Sequence, residues 1–168
     1  LCNQVIAKRQ PTAIDLRMVV SVLKAISDIE RVGDKARKIA RLGISLAKQP
    51  GNLNIELSHM AEIALRMLRL ALDGFARLDV SLVTEAMRLD SQVNGEYQSI
   101  ARQLITYMME DPRTITRSLD IMSIAKAIER IGDHATNIGE YVIYMVKGFN
   151  VRHASTAEIE ARMASDEG

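Results

Sequence analysis

The segment IERVGDKARKI at residues 29–39 recurs as IERIGDHATNI at residues 128–138. Seven of the eleven positions are identical, and the second copy lies 99 positions after the first. A repeat at a fixed offset indicates a duplicated supersecondary unit. The sequence therefore predicts two related structural units, each containing one copy of this stretch.

Apolar residues on both sides of each copy recur at alternating spacings of four and three, which is the pattern of a helix-bundle seam. Polar breaks containing Pro50 and Pro112, and a milder break with Asp79 or Ser81 as an available N-cap, separate the apolar series. The pattern predicts four helices, over about 13–48, 54–78, 81–110 and 113–148.

The predicted fold class is all-α, with tandem three-helix bundles. Residues 51–149 form the second, complete bundle, whereas residues 1–50 form the remainder of the first bundle, because the repeat places one helix and most of another ahead of Leu1. Residues 150–168 are expected to be a polar C-terminal tail. Helix 13–48 would then expose an apolar seam, which we expect a second copy of the chain to cover, with element swapping as one route.

The composition excludes several classes of protein. The 22 Lys and Arg residues balance 21 Asp and Glu residues, which argues against a polybasic nucleic-acid-binding protein. Aromatic residues make up 4% of the chain and there are 3 prolines, a composition typical of long packed helices. The single cysteine, Cys2, cannot form an internal disulfide and suits a reducing cytoplasm. No apolar run is long enough to predict a membrane span.

Each copy of the repeat carries two carboxylates four positions apart, Glu30 with Asp34 and Glu129 with Asp133. On a helix such a pair lies on one face, where mutual repulsion costs stability unless a cation is nearby. Two interpretations stay open: a solvated, ion-paired helix face, which is the common case for one such motif, and a metal site, which the repetition favours.

The third predicted helix offers a matching pair, because Asp90 and Asn94 flank a seam residue as the carboxylates do in the repeat. Antiparallel neighbours would place Asp90 and Asn94 against Glu129 and Asp133. Hard oxygen ligands from two facing helices suit Mg²⁺, Mn²⁺ or iron. The ligand pattern Glu-x-x-His of di-iron enzymes is missing, which weakens a carboxylate-bridged metalloenzyme as the alternative function.

Three other features receive simpler interpretations. His134 is predicted to be a surface or boundary histidine rather than a group that supports a metal ligand. The methionines, Met60 and Met67 among them, are predicted to fill core or interface space. A basic stretch is most simply a solvated helix face, although it could also meet an acidic partner; its members are Arg31, Lys35, Arg37, Lys38 and Arg41.

The segments 30–34 and 129–138 resemble the paired signatures of the PhoU family, and residues 7–17 and 104–113 resemble other stretches of that family. The resemblance implies tandem three-helix bundles, a homodimer and a cytoplasmic location, peripheral to the inner membrane through its partners. It implies a negative regulator rather than an enzyme. Family members couple the ATPase of the phosphate ABC transporter to a membrane sensor histidine kinase, and they hold down phosphate uptake and the phosphate-starvation response when phosphate is plentiful.

The acidic motifs of the family bind metal ions, so the resemblance carries a set of candidate metal ligands onto this chain. The identity of the metal stays open among Mg, Mn, Fe and Zn. The family usually has Asp where this chain has Asn94, whose amide oxygen can ligate a metal but brings no charge. A helical adaptor without metal is a further alternative. The candidate ligands are Glu30, Asp34, Asp90, Asn94, Glu129 and Asp133.

Overall fold

The structure, a computed structural model, describes residues 13–148 together with Val151 and Glu158. The five helices of 13–148 are α1 (Ala13–Lys48), α2 (Ser58–Arg77), α3 (Val80–Arg88), α4 (Asp90–Glu110) and α5 (Ile115–Lys147). The described residues contain no strand, so the all-α prediction is confirmed. The segment before α1 and nearly all of the tail 150–168 lie outside the described residues.

Two of the three predicted breaks between helices are capped by side chains, whereas Leu57, the N-cap residue of α2, makes no side-chain capping hydrogen bond. Leu78 ends α2 in the left-handed conformation, with φ of 54°. Asp79 then caps α3, because its carboxylate accepts hydrogen bonds from the backbone N–H groups of Ser81 (2.9 Å) and Leu82 (3.4 Å). Asp111 accepts in the same way at the 3₁₀ turn Pro112–Thr114 that leads into α5. The break residues therefore act as the sequence predicts.

The prediction of one uninterrupted helix over 81–110 is wrong, because the chain bends at Leu89 between α3 and α4. The backbone N–H of Leu89 donates to Ala86 O at 3.1 Å, three residues back, which tightens the turn at this point. The bend has a packing reason. It lets α3 enter a second apolar cluster, at the C-terminal end of α5, formed by Val83, Met87, Val142, Ile143 and Val151.

The main core lies between α2, α4 and α5 and is filled by side chains that the sequence assigned to it, Met60 and Met67 among them. Gly132 lies where these helices approach closely. A Cβ atom there would meet Met67 Sδ at 3.5 Å and Val93 Cγ1 at 3.7 Å, so a small residue sets the spacing. Two of the described methionines lie outside any core of the described chain, since Met18 is 45% exposed and Met109 is 80% exposed.

Helix α1 lies antiparallel along α5, and polar contacts join the two at both ends. At the C-terminal end of α1, the Arg117 guanidinium donates to the carbonyl oxygens of Leu46 (3.1 Å) and Gln49 (3.2 Å). These bonds satisfy carbonyl groups that a helix C-terminus leaves without intrahelical partners. At the other end, the Arg17 guanidinium packs against Gly148, just after α5.

The apolar seam predicted for α1 is exposed in the described part of the chain. Helix α1 buries Ser21, Ala25 and Asp28 instead, the side that faces α5. Ile26, in the predicted seam, is 56% exposed, so the expectation of an uncovered apolar face is confirmed. We call this face the α1 stripe; its exposed large apolar residues are Met18, Ile26, Ile29 and Ile44.

Candidate functional site

The structure brings the acidic residues of α4 and α5 together, as the sequence predicted. Asp90, the first residue of α4, is half-buried against α5. Its Oδ2 atom accepts a hydrogen bond from the side-chain amide of Asn94 at 2.8 Å, and its Oδ1 atom accepts one from the Thr136 hydroxyl at 3.4 Å. The N-terminus of α4 is thereby attached to the middle of α5, one turn from Asp133.

The charges of this cluster act on one another. Burial, followed by the nearby charge of Asp133 and then that of Glu129, raises the pKa of Asp90 above its ordinary value. The hydrogen bonds from Thr136 and Asn94 oppose this effect. Three carboxyl groups from two facing helices therefore lie close enough to repel, in a place where a bound cation would stabilise all of them.

Cationic side chains already accompany two of these carboxylates. Lys126 forms an ion pair with buried Glu129, and Arg130 Nη1 lies 3.0 Å from Asp133 Oδ2. Within the described ranges, no three His, Cys, Asp or Glu side chains are arranged to hold one metal ion. The oxygen donors fit a hard cation in kind, but the side-chain arrangement is that of an ion-paired helix face.

The first copy of the motif stands apart from any facing helix of the described chain. Glu30 and Asp34 are exposed on α1, and Asp34 Oδ1 lies 3.4 Å from Arg37 Nη1 in a surface ion pair. A Cβ atom on Gly33 would meet no atom of the described residues within 4 Å, so none of the described helices packs against Gly33. The two motifs are therefore alike in sequence but not in surroundings.

Sequence reasoning missed a buried polar cluster between α1 and α5, which we call the Asp28 cluster. Asp28 is 2% exposed, and its carboxylate lies 2.8 Å from His134 Nδ1. It also accepts hydrogen bonds from the Tyr141 hydroxyl (2.8 Å) and the Asn137 amide (3.4 Å). The prediction that His134 is a surface or boundary residue is wrong, because its neighbour on α1 buries it to 8% exposure.

The differences between the two repeat copies were the available signal for the Asp28 cluster. Asp28 corresponds to Ala127 in the second copy, and His134 corresponds to Lys35 in the first. Asp28 and His134, which contact each other across the two copies, both occupy positions where the two copies differ in sequence. The positions that the copies share do not indicate this contact.

Comparison with known proteins identifies the fold and the family together. The family model described as the PhoU domain matches residues 1–43 and 57–142, which include both acidic motifs. The chain belongs to the PhoU family. The earlier resemblance is thereby confirmed, and the PhoU match extends through both copies of the repeat.

Curated relatives include the phosphate-specific transport system accessory protein PhoU homolog of Pseudomonas putida. It is 43% identical over 171 residues, covering 98% of this chain and 67% of the relative. The PhoU of Escherichia coli K12 is 43% identical over 164 residues, covering 97% and 68%. Both relatives carry the name of an accessory protein, and neither name describes an enzyme.

Solved PhoU structures share the architecture. The crystal structure of PhoU from Pseudomonas aeruginosa superposes with a TM-score of 0.82 at 44% identity, covering 88% of this chain and 72% of that one. The phosphate transport system regulatory protein PhoU of Streptococcus pneumoniae gives a TM-score of 0.78 at 28% identity, covering 89% and 70%. The helical-bundle fold of PhoU is therefore established for this chain. None of its described helices is long and apolar enough to cross a bilayer.

Proposed function

We propose that this chain is a negative regulator of phosphate uptake and of the phosphate-starvation response. It would act in the cytoplasm, peripheral to the inner membrane, as an adaptor between the ATPase of the phosphate transporter and a sensor histidine kinase. The observation that supports this most is the PhoU match across both repeat copies, since the relatives are named as accessory proteins of phosphate transport. Neither those names nor the described residues favour the metalloenzyme alternative.

An adaptor changes the state of a partner only if it binds the partner's states unequally. The test is therefore a binding measurement with the purified chain, the purified transporter ATPase and the cytoplasmic part of the kinase, by biolayer interferometry. We expect saturable binding to both partners. Absence of binding to either partner would contradict the adaptor role.

The contribution of the acidic motif to docking is tested by the double variant Glu129→Ala/Asp133→Ala. Its matched control is Glu62→Ala/Asp73→Ala, which removes two exposed carboxylates from α2. We expect weaker partner binding by the first variant and unchanged binding by the second. If the two variants bind the partners equally well, the acidic motif does not contribute to partner binding.

We also propose that Asp90, Asn94, Glu129 and Asp133 hold a divalent or trivalent metal ion. The proposal is supported by oxygen donors on two facing helices and by the mutual repulsion of the carboxylates. Binding would require the Lys126 ammonium to leave Glu129. The metal would supply positive charge that joins α4 to α5. The exposed Glu30 and Asp34 are a second candidate pair, which needs ligands from elsewhere.

Calorimetric titration of Mn²⁺ into chelator-treated protein tests the metal site without reference to partners. We expect stoichiometric binding that is lost in Glu129→Ala/Asp133→Ala and kept in Glu62→Ala/Asp73→Ala. A wild-type chain that takes up no stoichiometric Mn²⁺, Mg²⁺, Fe²⁺ or Zn²⁺ would leave the adaptor without metal as the remaining function.

Self-association through the α1 stripe is a further proposal. An uncovered apolar face of this length is typical of an interaction surface. Sedimentation velocity should show a homodimer that Ile26→Glu/Ile29→Glu dissociates, while Ile105→Glu, at a similarly exposed apolar site on α4, leaves it intact. A wild-type monomer at micromolar concentration would contradict the proposal.

A further inference from the structure

A cavity of about 630 Å³ lies between the N-terminal half of α1 and the C-terminal end of α5. We call it the α1–α5 groove. Val20, Tyr141 and Tyr144 give it apolar walls, whereas Lys24 and Arg31 bring two cations to it. The combination of aromatic surface and positive charge is typical of a recognition site rather than of a packing defect.

The two cations of the groove are available to a partner. Lys24 is exposed, with its ammonium 5.7 Å from the centre of the Tyr141 ring, and Arg31 is 65% exposed. They lie seven positions apart on α1, so they are on one side of the helix and about 10 Å apart along its axis. The groove therefore presents two positive charges at a fixed separation.

The two carboxylates that line the groove do not cancel this charge at its mouth. Asp28 is on the floor, 3% exposed, with its oxygens engaged by groups of α5. Arg31 lies 3.9 Å from it, at the edge of ion-pair distance. Glu140 is half-buried and has an interaction of its own. Among the residues that line the groove, negative charge is thus held low and near α5, whereas the positive charge faces solvent along α1.

Ser21 supplies an independent sign that a polar ligand belongs in the groove. It lines the groove and is 1% exposed, and among the described residues its hydroxyl oxygen has no hydrogen-bond partner. Buried hydroxyl groups are normally hydrogen-bonded, because an unsatisfied one loses its water without compensation. A ligand with peptide or carboxylate groups would satisfy it.

We propose that the α1–α5 groove docks an acidic segment of a protein partner. A segment in the polyproline II conformation advances about 3.1 Å per residue and has three residues per turn, so carboxylates three positions apart lie on one side and reach Lys24 and Arg31 together. A single small anion cannot span that separation. Apolar side chains between the carboxylates would contact Tyr144 and Val20. This rests on the proposed adaptor function for its biological purpose, and it adds a docking surface that includes none of the acidic residues Asp90, Glu129 and Asp133.

The test uses a probe that does not depend on the transporter or the kinase. A fluorescein-labelled peptide of 12 or so residues, with Glu at every third position and Leu or Ser between, is titrated with the full chain and followed by fluorescence anisotropy. We expect saturable binding that Lys24→Glu/Arg31→Glu weakens at least about tenfold, because two contacts become repulsive. Arg69→Glu/Arg102→Glu, which makes the same charge change at exposed positions of α2 and α4, should bind like wild type.

Other outcomes would overturn the inference. They are absence of peptide binding, equal loss in the control variant, or displacement of the peptide by inorganic phosphate or pyrophosphate at equal concentration, which would indicate a small-anion site. Circular dichroism checks the fold of each variant, and Lys24→Gln/Arg31→Gln repeats the test with a milder change. Because the peptide assay omits the ATPase and the kinase, its result is independent of whether those proteins bind.

Discussion

Removing the Asp28 carboxylate should destabilise the chain strongly, because this one side chain joins the two repeat copies. Asp28→Ala leaves His134 without its acceptor in a buried place, and it also releases Tyr141 and Asn137. The three donors belong to α5, and the acceptor belongs to α1. Losing these hydrogen bonds should therefore weaken the packing of α1 against the second bundle.

The size of the effect follows from burial. Leaving a buried hydrogen-bonding group without its partner costs about 1–3 kcal/mol. Tyr141 and Asn137 are half-buried and can regain water, which lowers the total. We expect Asp28→Ala to reduce the free energy of unfolding by about 2–4 kcal/mol, a large share of the roughly 5–15 kcal/mol of a typical domain.

Urea unfolding followed by circular dichroism at 222 nm measures this loss as a lower midpoint. Ser27→Ala, at an exposed neighbouring position, is the control and should change stability by less than about 0.5 kcal/mol. Combined with His134→Ala in a double-mutant cycle, Asp28→Ala should show a coupling energy of about 1–3 kcal/mol. A loss under about 1 kcal/mol, or strictly additive effects of the two changes, would refute the reasoning.

Three further perturbations test the packing and the electrostatics. Gly148→Ala should lower the free energy of unfolding by about 1–2 kcal/mol or more, because φ is +80° at this position and a Cβ atom would displace the Arg17 guanidinium. A thermal midpoint equal to that of the wild type would contradict this prediction. Met67→Ala, in the core, should cost about 2–5 kcal/mol in urea unfolding, whereas Met109→Ala, on the surface, should cost under about 0.5 kcal/mol. Because burial and neighbouring carboxylates raise the pKa of Asp90, the folded chain loses stability as pH rises from the ordinary Asp value through the raised one. With chelator present, Asp90→Asn should therefore raise the urea midpoint at neutral pH and have less effect near the ordinary Asp pKa; a lower midpoint at neutral pH would contradict this.

Local patterns predicted most of the fold correctly. The repeat and the spacing of apolar residues located the helices, and Asp79 and Asp111 located two of their starts. The bend at Leu89 left no such mark, since its backbone stays helical and no Gly or Pro lies there. It arises because α3 and α4 pack into different apolar clusters, which is a tertiary effect that local sequence does not encode.

The candidate site was predicted in part for the same reason. Glu129 and Asp133 on α5 have the same four-residue spacing as Asp90 and Asn94 on α4. This match correctly predicted that the polar residues of α4 and α5 lie close together. The side-chain conformations of these carboxylates, and the ion pair between Lys126 and Glu129, depend on three-dimensional packing. The burial of His134 depends on Asp28, which lies 106 positions away in the chain, so no local pattern could reveal it.

The most direct test of the account measures repression in living cells. This chain is expressed in bacteria that lack their own PhoU and carry a reporter driven by a phosphate-starvation promoter, grown with plentiful phosphate. We expect reporter expression to fall relative to cells with an empty vector, and Asp28→Ala to restore it in part. Reporter expression that stays high, with the wild-type chain folded and abundant, would contradict the account.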